Sequence, residues 1–192
     1  MFRRDFIRLR FLSRLVGIWL ILPGQPLAAE GTQSYRVFLQ NSDQTVSLDI
    51  ARIEMKQQGD GFDYRVYMDE ERFADYFLNM RPFKCMTDKV NMLCHLAYPY
   101  SIERRITNTD FSALEHDFLF IRRKPTDYGI DPWNGLYYRI HKKGDEYLGQ
   151  AHEVDLNILA VPPDNPLPLK DAELHEIDEG QLWLPRLLIR RD

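Results

Sequence analysis

The chain has 192 residues, 44% of them hydrophobic, with 25 Lys and Arg against 29 Asp and Glu. That is one ordinary domain, long enough to bury its own core without a metal or a dense disulfide framework. A formal net charge of −4 argues against a surface built to neutralise a phosphate backbone, so nucleic acid is not an expected partner.

The first segment reads as an export leader. Arg3, Arg4, Arg8, Arg10 and Arg14 form a positive stretch opposed only by Asp5, and Leu15 to Leu22 is an unbroken apolar run. Pro23-Gly24 and the small residues of PLAAEG follow, which completes the pattern of a cleaved secretory signal. Residues 1–29 are the expected signal peptide, with cleavage after Ala29 and Ala28 as the near alternative. The apolar run is shorter than the roughly 20 residues of a membrane-spanning helix, so no transmembrane segment is expected in the mature protein. The stretch RRDFIR resembles the twin-arginine export motif. Phe2 stands where Ser or Thr is usual, however, and LVGIWLIL is strongly apolar. The general secretory route is favoured, with a periplasmic destination. Without that leader the chain keeps 163 residues, 20 basic and 28 acidic, net −8.

Residues 30–192 read as a single β-rich domain. Tyr35 to Leu39 is a strand signal, ended by Asn41-Ser42-Asp43. Val46, Leu48 and Ile50 then alternate with polar or small residues on towards Met55, and QQGDG (57–61) is a turn. Phe62, Tyr64, Val66 and Met68 alternate beyond it, predicting an antiparallel hairpin. From Asp69 the spacing changes. Phe73, Tyr76, Phe77 and Met80 fall at i, i+3, i+4 and i+7, Asp69 can cap, and Pro82 stops the run, so the spacing predicts a helix over about 69–81.

Cys85 and Cys94 are the two cysteines of the chain. Their C-x8-C spacing is neither a redox C-x-x-C nor a zinc pair, and an even count in an exported chain points to a disulfide across a hairpin. Ala97 to Ile106 reads as extended, bent at Tyr98-Pro99-Tyr100. Asn108 to Glu115 reads as one or two helical turns capped by Asp110, and Phe118 to Arg123 as a strand. Pro125 to Trp133 is a long loop. Leu136 to His141 and Tyr147 to Ala160 form another hairpin around KKGD, residues 161–168 (VPPDNPLP) a stiff connector, and 182–190 a final strand placed at an edge by Pro185. The expected fold is mainly β (α+β), an antiparallel curved sheet or partial barrel around one packed helix, with a β-sandwich as the alternative.

No phosphate loop, serine elbow, H-E-x-x-H or Cys/His metal set occurs, so neither a metal nor a cofactor is called for. Three constellations remain. Glu115-His116-Asp117 is the densest polar cluster, and with His95 it is a candidate acid–base site, weighed against a solvated start of a strand. The pairs Arg104-Arg105 and Arg122-Arg123 carry guanidinium forks suited to a carboxylate or phosphate, weighed against internal ion pairs. Trp133 and Tyr137, close to Asp131, Asn134 and Arg139, have the composition of a sugar-stacking platform, weighed against a loop pinned into the core by Trp133. Tyr98 and Tyr100 would share that groove.

The stretches RFADYFLNMRPFKC, CHLAYPY, YGIDPWNGLYYRI, EVDLNILAVPP and WLPRLLI resemble exported proteobacterial proteins without assigned activity. The resemblance implies a periplasmic place and supplies no reaction, cofactor or site. Two functions follow. The favoured one is a non-catalytic binding or accessory module of the cell envelope, taking a small ligand or an envelope protein. The alternative is a small envelope hydrolase or lyase using His116 and Asp117 with another histidine.

Overall fold

The computed structural model describes residues 31–160 and 169–192. The expected signal peptide and the 161–168 connector lie outside the described residues. Twelve strands run β1 (Thr32–Gln40), β2 (Ser47–Gln58), β3 (Gly61–Met68), β4 (Ala74–Phe77), β5 (Pro82–Thr87), β6 (Met92–His95), β7 (Arg105–Thr107), β8 (Phe120–Arg123), β9 (Gly135–Lys143), β10 (Glu146–Val154), β11 (Leu174–Glu176) and β12 (Arg186–Arg191). One α-helix, α1 (Ser112–Asp117), precedes β8. The strands form one antiparallel sheet that does not close, ordered β4-β5-β6-β8-β9-β10-β12-β1-β2-β3-β7, with β11 added on β10. Helix α1 touches both β9 and β7, so the sheet curls around it and around one shared core.

The hairpins follow from local chemistry. Gly59 and Gly144 take φ of +59° and +62° at the first position of two-residue turns, a conformation that an L side chain rarely adopts. In β2 the apolar phase changes from Leu48, Ile50 to Ala51, Ile53, Met55. The register of β1 on β2 shifts between Val37 and Phe38, where Val37 faces Ala51 and Phe38 faces Asp49. Ile50 is the extra residue of that bulge, and both Ile50 and Ala51 are buried.

Two expectations are corrected. The chain over 69–81 is not a helix. Asp69 does cap a turn, its Oδ1 accepting from Glu71 N at 3.2 Å, but the turn is a 3-10 segment of three residues, Glu70–Arg72. Phe73 then enters the core, and Ala74–Phe77 becomes the edge strand β4 on β5. Pairing with β5 outweighs the helical spacing, and Tyr76 and Phe77 suit a strand. Phe77 and Met80, half of the supposed helix stripe, are 72% and 97% exposed. The packed helix of this β-rich fold is α1 instead. The last strand is likewise not an edge. It begins at Arg186, after Pro185, and lies mid-sheet between β10 and β1. Pro185 contributes its carbonyl, accepting from Ala151 N at 2.9 Å, so its missing N–H costs the ladder nothing.

Alternation sorts the side chains into layers. Tyr35, Val37, Leu39, Ile53, Met55, Leu93, Phe120, Leu136, Tyr138, Leu187 and Ile189 share the main core on the inner face. The opposite face of β5 to β10 carries two further apolar clusters, one around Cys85, Cys94 and Ile121 and one around Leu119, Tyr137 and Val154. Loop residues Leu78, Ile130, Leu156, Leu159 and Leu169 cover them. Gly135 permits this cover, since a Cβ there would lie 2.6 Å from the Leu156 side chain and 2.5 Å from the Val154 carbonyl oxygen.

Candidate functional site

Helix α1 stands where β8 fails to reach. Strand β8 pairs with β9 only at Phe120–Leu136 and Ile121–Gly135, so the backbone of Ile140 has no β8 neighbour. The helix fills that place. Ile140 N donates to Glu115 Oε1 at 2.6 Å, and the Tyr137 hydroxyl donates to Glu115 Oε2. A carboxylate thus takes the role of a strand carbonyl. Glu115 is almost wholly buried, which pushes its pKa above the ordinary carboxylate value, although the bonds from Tyr137 and Ile140 oppose the shift. Burial and the adjacent Glu115 together push the Tyr137 hydroxyl strongly up.

His116 lies on the next position and is wholly buried. Its ring meets Tyr98 and Tyr137 edge-on, with centroids 4.9 and 5.4 Å away. Nδ1 lies 2.7 Å from the Ser112 carbonyl, which can only accept, so Nδ1 carries the proton. Nε2 is then a lone-pair nitrogen, and it has no hydrogen-bond partner. Burial lowers the His116 pKa, keeping the ring neutral. The expected solvated start of a strand is therefore overturned at Glu115 and His116, whose side chains are core.

Asp117 points elsewhere. Arg104 donates to both its oxygens, each at 3.1 Å, and the Tyr64 hydroxyl donates at 3.0 Å. His95 reaches the Asp117 main-chain carbonyl through Nε2 at 2.9 Å and stacks near Phe120, and burial lowers its pKa. The structure thus gathers His95, Tyr98, Arg104, Glu115, His116, Asp117 and Tyr137 around one helix. It does not join them into an acid–base pair, because His116 bonds neither the Asp117 carboxylate nor a second histidine. Among the described residues no group of three His, Cys, Asp or Glu could hold a metal ion.

The arginine forks are engaged within the protein. Arg105 reaches Asp60, Asp63 and the Gln58 carbonyl, Arg122 pairs with Glu153 at 2.5 Å, and Arg123 donates to the Gly129 carbonyl at 2.8 Å. Tyr100 donates to the Ala160 carbonyl and packs on Tyr98. Cys85 and Cys94 face one another across β5 and β6 and are bonded.

Trp133 does not anchor its loop in the core. It is 64% exposed on a 3-10 turn, Pro132–Asn134, capped by Asp131, whose Oδ1 accepts from Trp133 N at 3.1 Å. Tyr137, its supposed partner in a platform, is buried in the cluster below. Another aromatic takes that place. Tyr128 is 95% exposed and, with Asp127, Asp131, Asn134 and the two arginines Arg122 and Arg123, lines a cleft of about 350 Å³. Its loop is braced by Arg123 on Gly129 and by Lys124 N on Asp127 Oδ2 at 2.9 Å. Sequence reasoning passed over Tyr128 and Tyr64. Only the strand alternation hinted at Tyr64, and only an aromatic set between Pro125 and Gly129 hinted at Tyr128.

A second cleft, about 450 Å³, crosses Leu148 and Leu188 between Gln40, Gln150 and Arg186, and no aromatic ring other than His141 lines it. No protein-family model matches the chain, and neither a curated protein nor a solved structure matches it.

Proposed function

We propose that the protein is a non-catalytic binding or accessory module of the cell envelope, exported by the general secretory route and held outside the cytoplasm. The observation that carries this reading is the placement of its unusual side chains. Glu115, Asp117 and His95 are spent on neighbouring side chains and on the backbone, and the unpaired Nε2 of His116 is sealed from solvent, whereas Tyr128 and Trp133 are held out to solvent on a braced loop beside a cleft. Binding surfaces concentrate on such loops, carried by a rigid sheet. The Cys85–Cys94 bond suits an oxidising compartment, and the acidic balance of the mature chain supports a partner other than nucleic acid.

The test is to express the full chain with its own leader in a bacterium with two membranes and to fractionate the cells. The expected product is periplasmic and begins at Glu30. A thermal-shift screen of that product against metal ions, oligosaccharides and oxyanions then asks for a ligand, since anything that binds only the folded state raises Tm. A shift that vanishes in Tyr128→Ala with Trp133→Ala supports the reading. A cytoplasmic product, or a shift that survives that double variant and is lost in His116→Gln, contradicts it.

A further inference from the structure

The cleft beside Tyr128 has a chemistry that narrows its ligand, and the inference rests on the binding-module reading above. Its members are of two kinds. Tyr128 offers an aromatic ring almost free of protein contact, and Trp133, outside the lining itself, exposes a second ring on the adjoining turn that supplies Asp131 and Asn134 to the cleft. Asp127, Asp131 and Asn134 offer planar acceptors and an amide donor at the rim. Flat apolar faces next to short planar hydrogen-bonding groups match a pyranose ring. One face of such a ring presents aliphatic C–H groups, and its edge presents hydroxyls that both donate and accept. The lining is mostly polar, with Arg122, Arg123, Asp127, Asp131 and Asn134 beside Ile121 and Tyr128, and an amphipathic aromatic supplies contact area beside such a wet edge.

Charge argues against the other flat ligands. Arg122 and Arg123 are the cations of the cleft; Glu153 offsets the charge of Arg122, and Arg123 braces the loop through the Gly129 carbonyl, each keeping further N–H donors. Asp127 and Asp131 line the same cleft, so with Glu153 beside Arg122 three carboxylates stand against two guanidinium groups, a balance that does not favour a phosphate-bearing ligand. The carboxylates are not wholly spent either. Asp127 uses Oδ2 for Lys124 N, and Asp131 uses its oxygens for the local turn, to Trp133 N and the Asn134 amide at 3.3 Å. Each carboxylate oxygen has two acceptor directions, so both residues can still receive hydroxyl protons. The frame is set before a ligand arrives, because Arg123 and the Asp131 cap already hold both ends of the loop.

We infer that the Tyr128–Trp133 loop is a saccharide-binding site for uncharged sugar residues of an oligosaccharide or polysaccharide. Tryptophan fluorescence of the periplasmic protein carries the test. The chain holds Trp19, Trp133 and Trp183, and Trp19 lies within the expected leader. In a Trp183→Phe background the mature protein then reports from Trp133. Trp183 is partly buried against the main core, so the melting curve of that variant is checked first.

The probes are maltohexaose, cellohexaose and a tetramer of N-acetylglucosamine, with inorganic phosphate as the charged counterpart. The expected result is a saturable change in emission with at least one oligosaccharide. Affinity should fall at least tenfold in Tyr128→Ala, and in Asp131→Asn by less than in Tyr128→Ala. Isothermal titration of Trp133→Ala, in the otherwise native chain, should show the same tenfold loss with an unchanged Tm. Saturable binding of phosphate at Trp133 with no response to any oligosaccharide overturns the saccharide assignment and leaves a binding module standing. If no probe perturbs Trp133 and the thermal-shift screen of the same protein is also flat, both readings fall.

Discussion

The two halves of the sheet solve the same problem in different ways. From β5 to β10 the strands are apolar on both faces, with the main core inside and a second layer of loop residues outside. From β12 through β1 and β2 to β3 the inner face is equally dry, but the outer face meets water. There Arg190, Arg36 and Arg52 stand directly opposite one another on adjacent strands. Like charges so placed oppose pairing, and each arginine has local compensation. Arg36 binds Asp49, Arg52 pairs with Glu54 and lies over Tyr67, and Arg190 lies over Phe38. A face that must be covered acquires loops, a disulfide and buried polar groups. A face that need not be covered keeps plain alternation. The candidate site lies on the loops of the covered half.

If the covered half is truly two-layered, the largest effects belong there. Ile121→Ala removes a buried side chain of the outer layer and should destabilise by about 2–5 kcal/mol, read from urea unfolding. A loss below about 1 kcal/mol would mean that the loops do not form a packed layer. Next comes the bridge inside that layer. Reduction, or Cys85→Ser with Cys94→Ser, should cost about 2.7 kcal/mol for a closed loop of ten residues in the chain-entropy picture. Unchanged urea midpoints with and without reductant would remove the disulfide from the account.

A smaller effect is set by pH. Burial lowers the pKa of His95 and His116 below the ordinary 6.5, so the unfolded chain takes up protons that the folded one refuses. Their contribution is complete above about pH 6.5 and is lost as pH falls below it. Glu115 acts in the opposite sense. Its raised pKa lets the folded state hold a proton above the ordinary 4.5, so stability falls as pH rises from about 4.5 through the folded value. The Tm of His116→Gln should therefore depend less steeply on pH between 5 and 7 than that of the native chain. An equal slope would show that His116 is not buried neutral. The smallest effect is expected on the bare half, where Arg36→Ala should leave the urea midpoint unchanged within error, since the side chain is solvated. A clear drop there would erase the contrast between the halves.

Much of this fold was legible in the sequence wherever one face meets water. The β2–β3 hairpin reads directly from alternation, while the β9–β10 hairpin, whose first strand is buried on both faces, reads from its KKGD turn. The cysteine hairpin followed from an even count and its spacing. Legibility failed where tertiary neighbours decide. Phe73, Tyr76, Phe77 and Met80 keep a helical spacing, yet β5 draws Ala74–Phe77 into a strand. Pro185 suggested an edge, whereas the strand simply begins one residue later. Glu115-His116-Asp117 was visible as a cluster, but its meaning depends on where β8 stops against β9, which no local pattern records. Tyr128 was missed because exposure of a loop aromatic is a property of the folded surface.

The central claim is that binding belongs to the Tyr128–Trp133 loop and that the α1 cluster is structural. Amide NMR of the isotopically labelled protein, titrated with the oligosaccharide that shifts Tm most, tests it directly. The account predicts that the perturbed amides gather in residues 124–135, with Ser112–Asp117 unmoved. Perturbations centred on Glu115, His116 and Arg139, with 124–135 silent, would contradict it.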